Sequence, residues 1–172
     1  MKKFFATLSL FVLCTLSCPA QSELLKVGGA CVDVSPKVFP TQLRSGKSNY
    51  VHDPLHVRAV AFQRGEGRAV ICLIDAIGIG RDMSDLAKTR AAEKTGWKPE
   101  EMLICATHTH TAPKGGEGTP GKEAYEKLKH EKLEEAIVKA IQALQPARVG
   151  FGSDEEPSEV RNRRWFLKEG TM

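Results

Sequence analysis

Two buried-type strands separated by one helix constrain this sequence more than any other feature. Ala69-Val70-Ile71-Cys72-Leu73-Ile74 is an unbroken apolar run, and Met102 to Ala106 is a second, shorter one. Between them, Gly78 and Gly80 allow a tight passage into a predicted helix over Asp82–Thr95, and Gly96 is its natural stop. Strand, helix and strand at this spacing form a βαβ unit, so the two strands should run parallel in one sheet. Continuous apolarity in Ala69–Ile74 predicts burial on both faces.

The flanking segments fill out an α/β domain with a mixed sheet. Leu25 to Val34 reads as a strand in which Gly28-Gly29 permits close approach or a bulge, and Ser35-Pro36 ends it. Lys37 to Asn49 is polar and rich in turn formers, which predicts a loop. Leu55–Gln63 and Arg68–Asp75 are strands joined by the hairpin signal Arg64-Gly65-Glu66-Gly67. Ala112 to Gly121 reads as a loop. Glu123–Leu144 is a long helix with Leu133, Ile137, Ala140, Ile141 and Leu144 at helical spacing. A further short strand is expected over Arg148–Gly152, and Val160–Leu167 begins another element. That late start leads us to expect a truncated catalytic domain, with residues continuing after Met172.

Residues 1–20 have the layout of a secretory signal peptide. Lys2 and Lys3 precede an apolar run from Phe4 to Leu16, and Cys18-Pro19-Ala20 offers a cut ahead of Gln21. The run is shorter than the roughly 20 residues that span a bilayer. Export is therefore expected, to a periplasm, a cell surface or the medium, with acylation of Cys18 as a variant. The domain would then occupy residues 21–172. Its charge argues against nucleic acid: 25 basic against 21 acidic residues give +4, and loss of Lys2 and Lys3 leaves 23 against 21, or +2. The three cysteines left after cleavage are Cys31, Cys72 and Cys105. Cys72 and Cys105 read as small buried hydrophobes, and an exported location also permits a disulfide.

The residues suited to chemistry concentrate in Thr107-His108-Thr109-His110-Thr111-Ala112-Pro113. This stretch follows the second parallel strand, and ligands of open α/β sheets bind outside such strand ends. In an extended backbone His108 and His110 point to the same side. They can converge on a metal, or on a metal and its substrate, and neutral imidazole suits zinc, copper, iron and nickel. Asp75 ends the neighbouring strand and could orient a ligating histidine or cap the turn at Ala76–Gly80. His130 falls on the charged face of the long helix and should be solvated. His52 and His56 flank Asp53-Pro54, with no reason in the sequence to reach the site. Arg161-Asn162-Arg163-Arg164 could fork onto a carbonyl or carboxylate, or could be a solvated patch.

Several of these residues recur in order in a known family. Val27-Gly28-Gly29-Ala30, Asp33-Val34-Ser35-Pro36, Asp53-Pro54-Leu55 with Arg58, Asp75, Ala106 to Pro113 and Asn162-Arg163 together resemble the amino-terminal part of the neutral ceramidases. The resemblance implies a zinc amidase that cleaves ceramide to sphingosine and a fatty acid. It implies that His108 is a zinc ligand, and that His110 and Arg163 contact the substrate at the reaction centre. It also places a second His, a Glu and a Tyr of the zinc site further downstream than this sequence reaches. A ceramide-like lipid or other amide would be the substrate. A lipid substrate would bring the protein to a membrane surface; no protein partner is inferred.

Where the family continues with Ser-Gly-Pro, this chain has Thr111-Ala112-Pro113-Lys114, and the loop after Pro113 is short and charged. Little apolar surface is therefore expected there for a lipid chain. Two rival readings follow: a hydrolase of a non-lipid amide or ester on the same fold, and an exported binding module without catalysis.

Overall fold

A computed structural model describes residues 23–114 and 121–159. Among them β1 is Lys26–Asp33, β2 Thr41–Leu43, β3 Gly46–Ser48, β4 His56–Arg64, β5 Gly67–Ile74, β6 Met102–Ala106 and β7 Gln145–Pro146. The helices are α1, Arg81–Thr95, and α2, Lys122–Gln142. The main sheet has the order β6-β5-β4-β1-β7. β5 and β6 are parallel, and the other pairs are antiparallel. This is the mixed α/β architecture expected from the sequence, with β5-α1-β6 as its βαβ unit. The expected leader over 1–20, the element over Val160–Leu167 and Arg163 lie outside the described residues.

Local chemistry sets the connections. Arg64 pairs with Gly67 across the β4–β5 hairpin, leaving Gly65 and Glu66 to turn the chain. Gly65 has φ 57°, which a two-residue hairpin turn with glycine first requires. Gly96 ends α1 in the left-handed conformation, at φ 71°, and its N–H donates to the Ala92 carbonyl at 2.8 Å.

Both helices lie on one side of the sheet. α2 crosses β1, β4 and β5, and α1 packs on α2. Leu133, Ala136, Ile137 and Ala140 of α2 are fully buried against Val57, Ala59, Val70, Cys72 and Ile74. α1 contributes only Ala87 and Ala91 to the buried set, with a Lys94–Glu134 ion pair tying it to α2. Gly28 is where α2 comes closest to β1. A Cβ there would lie 2.1 Å from the Ala140 carbonyl oxygen, so the glycine serves close approach.

Four expectations are corrected. The segment Lys37–Asn49 is not all loop, because β2 and β3 pair as a small antiparallel hairpin. β5 is buried on one face only: its burial alternates, and Ile71 is 48% exposed while Val70 and Cys72 are sealed. α1 and α2 cover a single face of the sheet, so apolar continuity does not mean two-sided burial here. Arg148–Gly152 forms no strand; the pairing with β1 is made earlier, by Gln145 and Pro146, and Phe151 is almost fully exposed. His130 is half-buried rather than solvated, and its Nδ1 is buried without a partner among the described residues.

Candidate active site

Four chain segments meet at the end of the sheet where β5 and β6 finish. β1 arrives with Asp33, β4 begins with His56, β5 leads into Asp75, and β6 leads into Thr107. The ladder continues one step past the strands: the Asp75 N–H donates to the His56 carbonyl at 2.9 Å, and the Thr107 N–H donates to the Ile74 carbonyl at 3.0 Å. His108 and His110 therefore emerge at the carboxyl edge of the parallel pair, where ligand sites of α/β sheets lie.

The two rings converge, but not by strand alternation. His108 has φ 62°, a left-handed conformation uncommon for a residue with a Cβ. Such backbone costs of the order of 1–3 kcal/mol and persists where surrounding contacts determine it. The kink brings the His108 and His110 Nε2 atoms to 3.5 Å, with ring centroids 5.1 Å apart and an edge-to-face angle of 70°. His108 Nδ1 lies 2.6 Å from the Ile77 carbonyl oxygen. A carbonyl can only accept, so Nδ1 carries a proton, and in the neutral ring Nε2 then has its lone pair facing His110.

That arrangement suits a metal as far as it goes. His108 would offer Nε2 to a metal, and His110 stands beside it with its own Nε2 3.5 Å away. Among the described residues no group of three His, Cys, Asp or Glu side chains is placed to hold a metal.

Asp75 neither touches the ligating-type histidine nor caps the following turn. Its Oδ2 accepts the His56 N–H at 2.9 Å and the Arg58 guanidinium at 2.9 Å. Burial pushes its carboxyl upward, but the His56 N–H, Arg58 and the Thr107 side chain outweigh this and hold it below the usual carboxylate range. Asp33 is likewise held low, chiefly by the Ser35 N–H, which donates to it at 2.6 Å. The role imagined for Asp75 at the histidine belongs instead to a backbone oxygen, which no residue-type pattern reveals. His56, set aside on sequence grounds, sits at this edge with Nδ1 3.2 Å from Arg58. Its signal was available in the pairing of the strand after Pro54 with the strand that ends at Asp75. His52 is exposed and, among the described residues, bonded only to Asp53 at 3.0 Å.

Beside the histidines, Thr111 and Pro113 border a cavity of about 490 Å³. Its wall includes Leu43, Tyr50, Val51 and Leu55. Residues 115–120 of the loop after Pro113 lie outside the described residues; the apolar part of this wall comes from the β2–β3 hairpin and the segment that follows it. Cys31 is exposed, Cys105 half-buried and Cys72 buried, and all three are free thiols.

The chain is thus an open mixed α/β sheet with a histidine pair at the edge of its parallel strands. Two of the solved structures that share the fold are ceramidases. One is a neutral ceramidase from Pseudomonas aeruginosa, with a TM-score of 0.62 and 18% identity. The other is a ceramidase complexed with C2, with a TM-score of 0.55 and 16% identity. Each match covers 72% of this chain and 22% of the other, so the chain spans about a fifth of the length of the structures it matches. No family model matches the chain, and no curated protein matches it in sequence.

Proposed function

We propose that this chain carries the amino-terminal part of the catalytic domain of an exported, zinc-dependent amide hydrolase of the ceramidase kind. The observation that carries the reading is the convergence of the His108 and His110 Nε2 atoms at the sheet edge of a ceramidase-like fold. His108 would hold the metal through Nε2. Zinc, when bound, would supply Lewis acidity to a scissile carbonyl and to water. His110, whose Nε2 lies 3.5 Å from that of His108, would take or give a proton, or hydrogen-bond the developing oxyanion. Arg163 would steady the substrate. The cavity beside Thr111 mixes apolar walls, from Leu43, Tyr50, Val51 and Leu55, with polar ones, from Lys47, Asn49, His52 and Asp53, and could take an amide bearing an apolar chain. Residues 1–20 would be removed on export.

The test is His108→Ala in the full-length gene product, with zinc content and hydrolysis of an acyl-sphingoid amide read together. Loss of both is expected. Full zinc retention would sink the ligand assignment. Turnover of short soluble amides in preference to acyl-sphingoid ones would move the reading to a non-lipid hydrolase, and ligand binding without metal or turnover would move it to a binding module.

A further inference from the structure

Resting on that reading, we infer that Asp75 and Arg58 are positioning residues that set the tautomer of His108. Histidine in water prefers its neutral-state proton on Nε2. Here the Ile77 carbonyl, 2.6 Å from Nδ1, imposes the opposite tautomer and frees Nε2 to ligate. Everything then depends on where the Ile77 oxygen stands, two residues beyond Asp75.

Asp75 is the fixed point of that turn. Its backbone N–H is tied to the His56 carbonyl, and its Oδ2 accepts from the His56 N–H and the Arg58 guanidinium. Arg58 reaches back to His56 Nδ1 with its other arm. Thr107, which precedes the left-handed His108, bonds its N–H to Ile74 and sets its side chain beside the same carboxylate. The carboxylate thus ties the start of β4 to the exit of β5, and the Thr107 N–H ties the exit of β6 to the same strand. The Ile77 end of the Ile77–His108 contact is held through the Asp75 side chain, and the His108 end through the Thr107 backbone beside it. Without the Asp75 carboxylate, the φ 62° backbone at His108 loses a restraint that offsets its strain.

The test compares metal-free wild type, Asp75→Ala, Arg58→Gln and Arg58→Lys in the full chain, with two-bond 1H–15N imidazole spectra at a pH where His108 is neutral. His108 should carry its proton on Nδ1 in wild type and Arg58→Lys, and shift toward Nε2 in Asp75→Ala and Arg58→Gln. Zinc affinity should fall about 10–100-fold in the latter two, as for outer-shell partners of metal histidines. Should Asp75→Ala fail to fold by circular dichroism, Arg58→Gln, whose side chain is half-exposed, carries the comparison. An Nε2–H tautomer in wild type, or an unchanged Nδ1–H tautomer in the folded variants, overturns the inference whatever zinc does. The expected tautomer pattern with no zinc binding in wild type would overturn the metal reading and leave the positioning roles standing.

Discussion

The two faces of the main sheet are built from the same kinds of residue and have different fates. On the helix side, Val57, Val70, Cys72 and Ile74 are at most 1% exposed, sealed by α2. On the other side, Val60, Ile71 and Leu103 stand in one register row across β4, β5 and β6 and are 38%, 48% and 57% exposed. Among the described residues no helix lies over that row. The stability of this part of the chain thus comes from one interface. The open face carries the chemistry at one end, because Asp33, His56, Asp75 and Thr107 continue its strand alternation into the candidate site.

The contrast can be broken most strongly from the helix side. Ile137→Ala should cost about 2–5 kcal/mol, because Ile137 is fully buried between α2 and the sheet. Urea unfolding would measure it, and a cost under about 1 kcal/mol would mean that the α2 interface is not the principal core. Gly28→Ala should cost about 1–3 kcal/mol by pushing α2 off β1, since its Cβ would meet the Ala140 oxygen and the Ala143 backbone. A neutral result there would show that α2 can slide.

Thiol chemistry sharpens the same comparison without mutation. Burial, with a smaller contribution from Cys105, pushes the Cys72 thiol up to about 12, whereas Cys31 is exposed on the open face. Iodoacetamide at pH 8 should label Cys31 at least about tenfold faster than Cys72, and Cys72 should react on unfolding. Equal rates would mean that the helix face opens readily.

At the site end, Asp75 has its native pKa lowered, so its contribution to stability is present above about pH 4, its unfolded range. That contribution is lost as pH falls through the lower native value. Asp75→Asn should therefore flatten the acid limb of the stability curve relative to wild type, and parallel limbs would contradict the pairing with Arg58. The smallest effect belongs to Ile71→Thr on the open row, expected within about 0.5 kcal/mol. A cost of about 2 kcal/mol or more would show that something covers Ile71 in solution.

Much of the fold was legible because its signals are local. The β4–β5 hairpin follows from Gly65, the end of α1 from Gly96, and the parallel strands from a helix between two apolar runs. The expected strand over Arg148–Gly152 failed because strand propensity without a partner is not a strand; β1 was already paired by Gln145 and Pro146. The β2–β3 hairpin was missed because its pairing spans only three residues on each side. At the site, the histidine pair was readable and its geometry was not. Alternation put His108 and His110 on one side, but the rings meet through a left-handed kink that depends on contacts with Ile77, Asp75 and Thr107.

The sequence by itself determined which segments become strands and helices and that two imidazoles leave the end of a parallel strand, because periodicity and turn chemistry act over a few residues. The tertiary structure decided which face of each strand is buried, which carbonyl fixes the His108 proton, and which distant segment walls the cavity beside Thr111. Those outcomes depend on contacts between residues far apart in the chain, and no local pattern of residue types encodes them.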